Sequence, residues 1–250
     1  VTKRARRSLA VAVAAVALVA CGVVAGILPG GDLLRRVVRE HRARAVREER
    51  SAECLRRFDA ENKVAAAGGV VFLGSSTIER GPFAALFPNA RVLNRGIGDE
   101  NTIDLRLRLP QSLPLMRPAA VFVYAGSADL RLDRVSPREA LARVAAMLDV
   151  LAPPQSGMAT TPLALIEVLS EVDPTPERLA DLRALNAGLA QLAAERGAAF
   201  VRTWVSPLVD AAGRLPAELS TDGFHLNEAG YRALADRIRQ DGGAAAAPLR

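Results

Sequence analysis

Hydrophobic and polar positions divide the chain into three stretches with different periods. From Leu9 to Leu28 there is no charged residue. Twenty such residues at ~1.5 Å each reach ~30 Å, the thickness of a bilayer core, so a transmembrane helix is expected within residues 1–30. Residues 31–63 read as a charged helical stalk, bounded by Pro29-Gly30-Gly31 and Gly68-Gly69. Leu33, Leu34, Val37 and Val38 give it an apolar edge, and Arg36/Glu40 and Arg44/Glu48 are spaced for helical ion pairs. From Val64 onward, short apolar runs alternate with amphipathic segments. Val70–Leu73, Val92–Asn94, Ala120–Ala125, Leu163–Leu169 and Ala198–Val201 predict strands. Pro137–Leu151 and Pro176–Arg196 predict helices, the second with Thr175 as N-cap and Pro176 in the first turn. A last helix follows Asn227 to about Gln240, and residues 242–250 read as a disordered tail. Strands alternating with helices predict an α/β domain over residues 64–241, its parallel sheet covered on both faces.

Charge sharpens the division. The chain has 33 Lys+Arg against 27 Asp+Glu, a net +6. Residues 1–63 hold 14 basic and 7 acidic groups, whereas residues 64–250 hold 19 and 20. The basic excess therefore belongs to the stretch beside the bilayer, and a nucleic-acid partner is not expected. Lys3, Arg4, Arg6 and Arg7 precede the apolar run, but Arg35, Arg36 and Arg39 follow it, so the positive-inside rule gives a divided vote. An uncleaved signal anchor with the folded domain outside the cytoplasm is the preferred reading. Leu18-Val19-Ala20-Cys21 also reads like a lipobox, which leaves a lipoprotein acylated at Cys21, or a cleaved signal peptide, as alternatives. Gly22 and Gly26 form a GxxxG spacing through which two such helices could pair as a homodimer.

Composition then limits the chemistry. Half the residues are hydrophobic, which excludes a disordered chain. Two cysteines and two histidines leave no material for a disulfide framework or a multi-histidine metal centre, and no cofactor is implied. In a parallel sheet, ligands bind beyond the carboxyl ends of the strands. Three polar clusters fall there: Gly74-Ser75-Ser76-Thr77, Gly126-Ser127-Ala128-Asp129 and Asp222-Gly223-Phe224-His225-Leu226-Asn227. Singly, each has an ordinary structural reading as a turn or a helix cap. Together they offer a nucleophilic serine, a base to take its proton and a carboxylate to fix the base. His225 is the only histidine after residue 63, so serine chemistry here has one possible imidazole.

Phe72-Leu73-Gly74-Ser75-Ser76-Thr77-Ile78-Glu79 resembles the first block of the SGNH/GDSL hydrolases. Asn94-Arg95-Gly96-Ile97-Gly98 resembles the second, Tyr124-Ala125-Gly126-Ser127-Ala128-Asp129 the third, and the Asp222–Asn227 segment the last. The resemblance covers roughly Val64 to Gln240. It implies a flavodoxin-like three-layer α/β/α domain that hydrolyses esters or removes acyl groups, with Ser76 as nucleophile, His225 as base and Asp222 as its orienting acid. Two positions depart from the family pattern. The third-block Asn that donates to the oxyanion is Ala128, and a methyl cannot donate; losing one such donor typically costs ~100–1000-fold in turnover. The second-block Gly falls on Asp99, beside Gly98, where the main-chain N–H survives but the carboxylate should point away or be paired. Ser127 and Asn101 are the polar side chains near enough in sequence to stand in for the lost amide.

Two functions therefore compete. One is a membrane-tethered serine esterase or deacylase acting on a small or envelope-attached ester of a carbohydrate or lipid. The other is a weakened relative that binds such a ligand, or a partner protein, without turnover. Among the remaining residues, Asp129 is expected to cap the loop after the third strand and Trp204 to pack or line a pocket. Cys54 reads as a bystander thiol, and Arg131 and Arg134 as a solvated face rather than an anion site.

Overall fold

The computed structural model describes residues 31–64, 68–113, 118–151 and 161–250, and of the side chains within 31–44 only that of Val38. The apolar run Leu9–Leu28, with Cys21 and the Gly22/Gly26 spacing, lies outside the described residues, as do the side chains of Arg36/Glu40 and Arg44. Among the described residues no helix is long and apolar enough to cross a membrane.

The chain divides into two compact units, Val1–Glu53 and Cys54–Arg250. In the first, the described part is helical: helix α1 runs Gly31–Val64 and continues into the second unit. The second holds five parallel strands: β1 (Val70–Gly74), β2 (Val92–Gly96), β3 (Ala120–Tyr124), β4 (Leu163–Ile166) and β5 (Ala199–Val201), in spatial order 2-1-3-4-5. Every residue of β1 and β3 is buried, alternate positions included, so helices cover both faces of the sheet. This is the α/β sandwich that the alternation of runs implies. Phe72 on β1 stacks on Phe83 at 4.2 Å and on Phe122 of β3 at 4.9 Å between ring centroids, filling the centre of one face.

Helices α2 (Ser76–Glu79) and α3 (Phe83–Leu86) follow β1, and α4 (Thr102–Leu107) and α5 (Leu109–Ser112) follow β2. Helix α6 (Pro137–Leu151) precedes β4, α7 (Pro176–Glu195) lies between β4 and β5, and α8 (Glu228–Asp241) follows β5. The Thr175 hydroxyl accepts from Arg178 N–H at 3.2 Å, the cap expected for α7.

Three boundaries differ from expectation. Strand β4 stops at Ile166 because the Glu167 carboxylate takes the N–H groups of Thr203 and Trp204, at 2.7 and 2.8 Å. The stalk does not end at residue 63: Cys54, Phe58 and Ile97 form a buried cluster, so the compact unit begins ten residues earlier. Nor are residues 242–250 a disordered tail. Gly243–Leu249 is a 3-10 helix whose Ala245, Ala246 and Leu249 join the main core. A run of alanines offers little to a helix surface, but its small side chains permit close approach to the sheet.

Candidate active site

The turn after β1 places Ser76 at the first position of α2, with Ser75 as N-cap. Ile78 and Glu79 N–H groups bond to Ser75 O at 3.1 and 3.0 Å, which aims the start of α2 at the carboxyl edge of the sheet. Glycine is required on both sides of this turn. A Cβ on Gly74 would lie 2.6 Å from Tyr124 O, and one on Gly96 would lie 2.1 Å from Glu79 N. The Asn94 amide locks the turn from β2, donating to Ile78 O at 2.7 Å and Gly81 O at 3.2 Å. On the other side, Tyr231 of α8 donates its hydroxyl to Thr77 O at 2.7 Å.

His225 and Asp222 arrive on a loop closed by an antiparallel bridge between Ser220 and Leu226. The Ser220 hydroxyl donates to His225 O and accepts from Gly223 N–H, each at 2.9 Å. Asn227 caps α8 through Gly230 N–H at 3.0 Å, so the cap and the imidazole are separate devices. His225 Nε2 lies 2.8 Å from Ser76 Oγ, and Nδ1 lies 2.7 Å from Asp222 Oδ2. The other Asp222 oxygen accepts the main-chain N–H groups of His225 and Phe224, at 2.9 and 3.1 Å. Burial works to raise this carboxyl, but the His225 N–H, the imidazole and the Phe224 N–H outweigh it and hold Asp222 well below the usual carboxylate range. Asp222 is therefore ionised at neutral pH. Arg80 also reaches it, 3.2 Å from Oδ2, at a half-exposed position.

Around Ser76 and His225 lies a cleft whose lining includes Ser75, Thr77, Tyr124, Ser127, Ser170 and Glu171. Asp99 and Arg131 also border it, as do Ala128, Leu169 and Phe224. Burial pushes the Tyr124 phenol up despite its bonds with Thr77, Leu169 N–H and Ser127, so it stays a neutral hydroxyl. Glu171 is paired with Arg178 at 2.7 Å.

Ile97 N–H bonds to Gly74 O at 3.1 Å, tying the second-block loop to the turn that carries Ser76. Among the described residues, Gly98 and Asp99 donate to no backbone carbonyl, so both N–H groups remain available. Asp99 sits at φ 62°, a left-handed conformation that side-chain-bearing residues rarely adopt, and its carboxylate faces Arg131 at 3.9 Å. The charge is thus paired. Ala128 is nearly buried and separates the cleft from a smaller cavity lined by Asn101, Thr102 and Leu105. Asn101 does not stand in for the lost amide. It accepts Asp104 N–H at 3.0 Å as the cap of α4 and donates to Asp133 at 2.8 Å, facing the smaller cavity. Ser127 does line the cleft, with its hydroxyl engaged by Tyr124.

A GDSL-like lipase/acylhydrolase family matches residues 80–233, more than half the chain. The chain belongs to that family. It is an ester-hydrolysing enzyme. The match begins four residues after Ser76, so the nucleophile reading rests on the geometry rather than on the match. No curated protein sequence matches the chain. Among solved structures, a Streptococcus pneumonia protein assigned as a platelet activating factor is similar at TM-score 0.72 and 24% identity, covering 82% of this chain and 98% of its own. A GDSL-like lipase from Bacteroides thetaiotaomicron follows at 0.61 and 22%, with 74% and 95% covered. An acetylxylan esterase from Geobacillus stearothermophilus gives 0.54 and 20%, with 71% and 95% covered. At these identities the likeness concerns the fold.

One residue of this GDSL-like enzyme that shapes the site carries no sequence signal of its own. Arg108, buried on the turn joining α4 to α5, bonds Gly74 O at 3.2 Å and Arg95 O at 2.9 Å, holding the ends of β1 and β2 together. Its own charge meets Glu100 at 2.5 Å. Asp129 does not cap its own loop: its carboxylate supports the start of α4 beside the Asn101 cap, accepting from the N–H and hydroxyl of Thr102 at 3.0 and 2.6 Å. Trp204 packs against the core and donates to Val168 O at 2.7 Å, away from the cleft lining. An acid a few residues beyond a strand end can serve any neighbouring loop, and only the fold selects which.

Proposed function

We propose that this enzyme hydrolyses esters of short acyl groups on polar alcohols, with Ser76 as nucleophile, His225 as general base and Asp222 as the group that orients it. The observation that carries the reading is the continuous file Asp222–His225–Ser76, with contacts of 2.7 and 2.8 Å. With Nδ1–H donated to Asp222, Nε2 accepts the Ser76 proton as Oγ attacks the ester carbon. The tetrahedral oxyanion is held by the main-chain N–H of Ser76 and those of Gly98 or Asp99. His225 then gives the proton to the departing alcohol, leaving an acyl-serine. Water attacks it, passes a proton to Nε2, and the carboxylic acid leaves as Ser76 recovers its hydrogen.

The substrate class follows from the lining. Hydroxyls and charges dominate, and Ala128, Leu169 and Phe224 are the apolar side chains at the cleft. A long acyl chain gains about 0.8 kcal/mol per buried methylene only where apolar surface receives it, and little is offered here. An acetyl group on a carbohydrate suits the lining, and the same fold serves an acetylxylan esterase. The uncharged run Leu9–Leu28 favours a tether to the membrane, with the substrate at the cell envelope.

A fluorophosphonate probe should label the folded protein and leave Ser76→Ala unlabelled. Hydrolysis should favour p-nitrophenyl acetate over the octanoate in kcat/KM. Absence of labelling in folded wild-type protein would overturn the assignment.

A further inference from the structure

The end of α1 is built into the ground beneath the oxyanion loop. Arg95, the residue before the Gly96–Asp99 turn, has no exposed side-chain surface. Its guanidinium lies 4.6 Å from the centroid of the fully buried Phe58 ring. It bonds to the Glu61 carboxylate and, at 2.9 Å, to Asn62 Oδ1. Ile97 packs against Phe58 and Cys54. Arg108, which grips Gly74 O and Arg95 O, lies 5.8 Å from the same Phe58 ring. Two buried guanidiniums therefore share one aromatic ring directly under the strand ends that carry the nucleophile turn and the oxyanion loop. Burial pushes the Arg95 pKa down, and Glu61 is the carboxylate that opposes this. A buried cation whose counter-ion is taken away must be rehydrated, and the backbone that carries it must move.

We propose that Phe58 and Glu61 are positioning residues of the active site, acting through Arg95 and Ile97 to hold the Gly98 and Asp99 N–H groups on the oxyanion. The proposal rests on the serine-hydrolase reading above. It assigns a part in catalysis to a segment that precedes the family match at residue 80 altogether. The oxyanion donors act on the transition state and not on the bound ester, so the effect belongs to kcat and the acylation rate rather than to KM.

The test uses the full chain as wild type, Glu61→Gln and Leu192→Ala. Leu192 is buried on the last turns of α7, at the opposite edge of the sheet from the cleft, and reports what lost stability alone does. For each, kcat and KM on p-nitrophenyl acetate, the fluorophosphonate labelling rate and the Tm are measured. The expected result is a fall of about tenfold or more in kcat and in labelling rate for Glu61→Gln, KM staying within about twofold. Leu192→Ala loses at least as much Tm and keeps the wild-type kcat. If Glu61→Gln lowers Tm but retains wild-type kcat and labelling, the contact is structural and the proposal is wrong. The proposal fails equally if the two variants lose kcat in the same measure. A wild type that neither labels nor hydrolyses the ester overturns the function reading, and the proposal with it, by a separate observation.

Discussion

Ala128 stands between the cleft of Ser76 and the smaller cavity that Asn101 lines, so a longer side chain there has space to enter. Replacing it by Asn restores a side-chain donor on the oxyanion side. The expected gain in kcat is about 100-fold or more, ~3–4 kcal/mol of transition-state stabilisation, with KM little changed. Steady-state kinetics on p-nitrophenyl acetate measures it, and an unchanged kcat means that another group already fills the role. Asp222 carries a second prediction. Its folded-state pKa is held below that of the unfolded chain, about 3.9, so its contribution to stability is complete above that value and fades as the folded carboxyl becomes protonated. The Tm difference between wild type and Asp222→Asn should therefore narrow as pH falls below about 4. Thermal melts from about pH 7 to about pH 2 test the sign. A gap that widens on acidification contradicts it.

At the scale of elements, the site depends on how closely α2 can lie against β2. Gly96→Ala would put a methyl 2.1 Å from the Glu79 main chain, where no side-chain rotation relieves it. Overpacking of this kind costs about 1–3 kcal/mol, and here it also displaces the helix that carries Ser76. Both a lower Tm and slower fluorophosphonate labelling are expected; normal labelling would show that α2 accommodates the methyl without moving Ser76. Asn227→Ala removes the cap of α8 and the amide's 2.6 Å bond to Glu218 O. Its expected cost is about 1 kcal/mol in urea unfolding. The loop bridge Ser220–Leu226 remains, so His225 should stay in place and kcat should hold within a few-fold.

Across the whole molecule, the chain after Asp241 returns to the core instead of leaving it. Leu249, the last residue but one, is nearly buried. Leu249→Ala should cost about 2–5 kcal/mol, measured as a shift of the urea midpoint, where a disordered tail would give none. The order of strands and helices is legible in the sequence because each run repeats the period of its element: Pro137–Leu151 is helical over its whole predicted span, and Val70–Leu73 is extended by only Gly74. Ser76, Asp222 and His225 are legible because the sheet brings distant strand ends to one edge, and the chain holds a single imidazole after residue 63. Pairings between elements are not. Asn101 has equal claim by position to the cleft or the cap, and takes the cap. Glu61 reads as one more solvated stalk charge until packing buries Arg95 beneath it. Periodicity and residue type are properties of a segment and survive in the sequence alone. Which buried charge meets which carboxylate is decided only when packing removes water from both, and that depends on the whole fold.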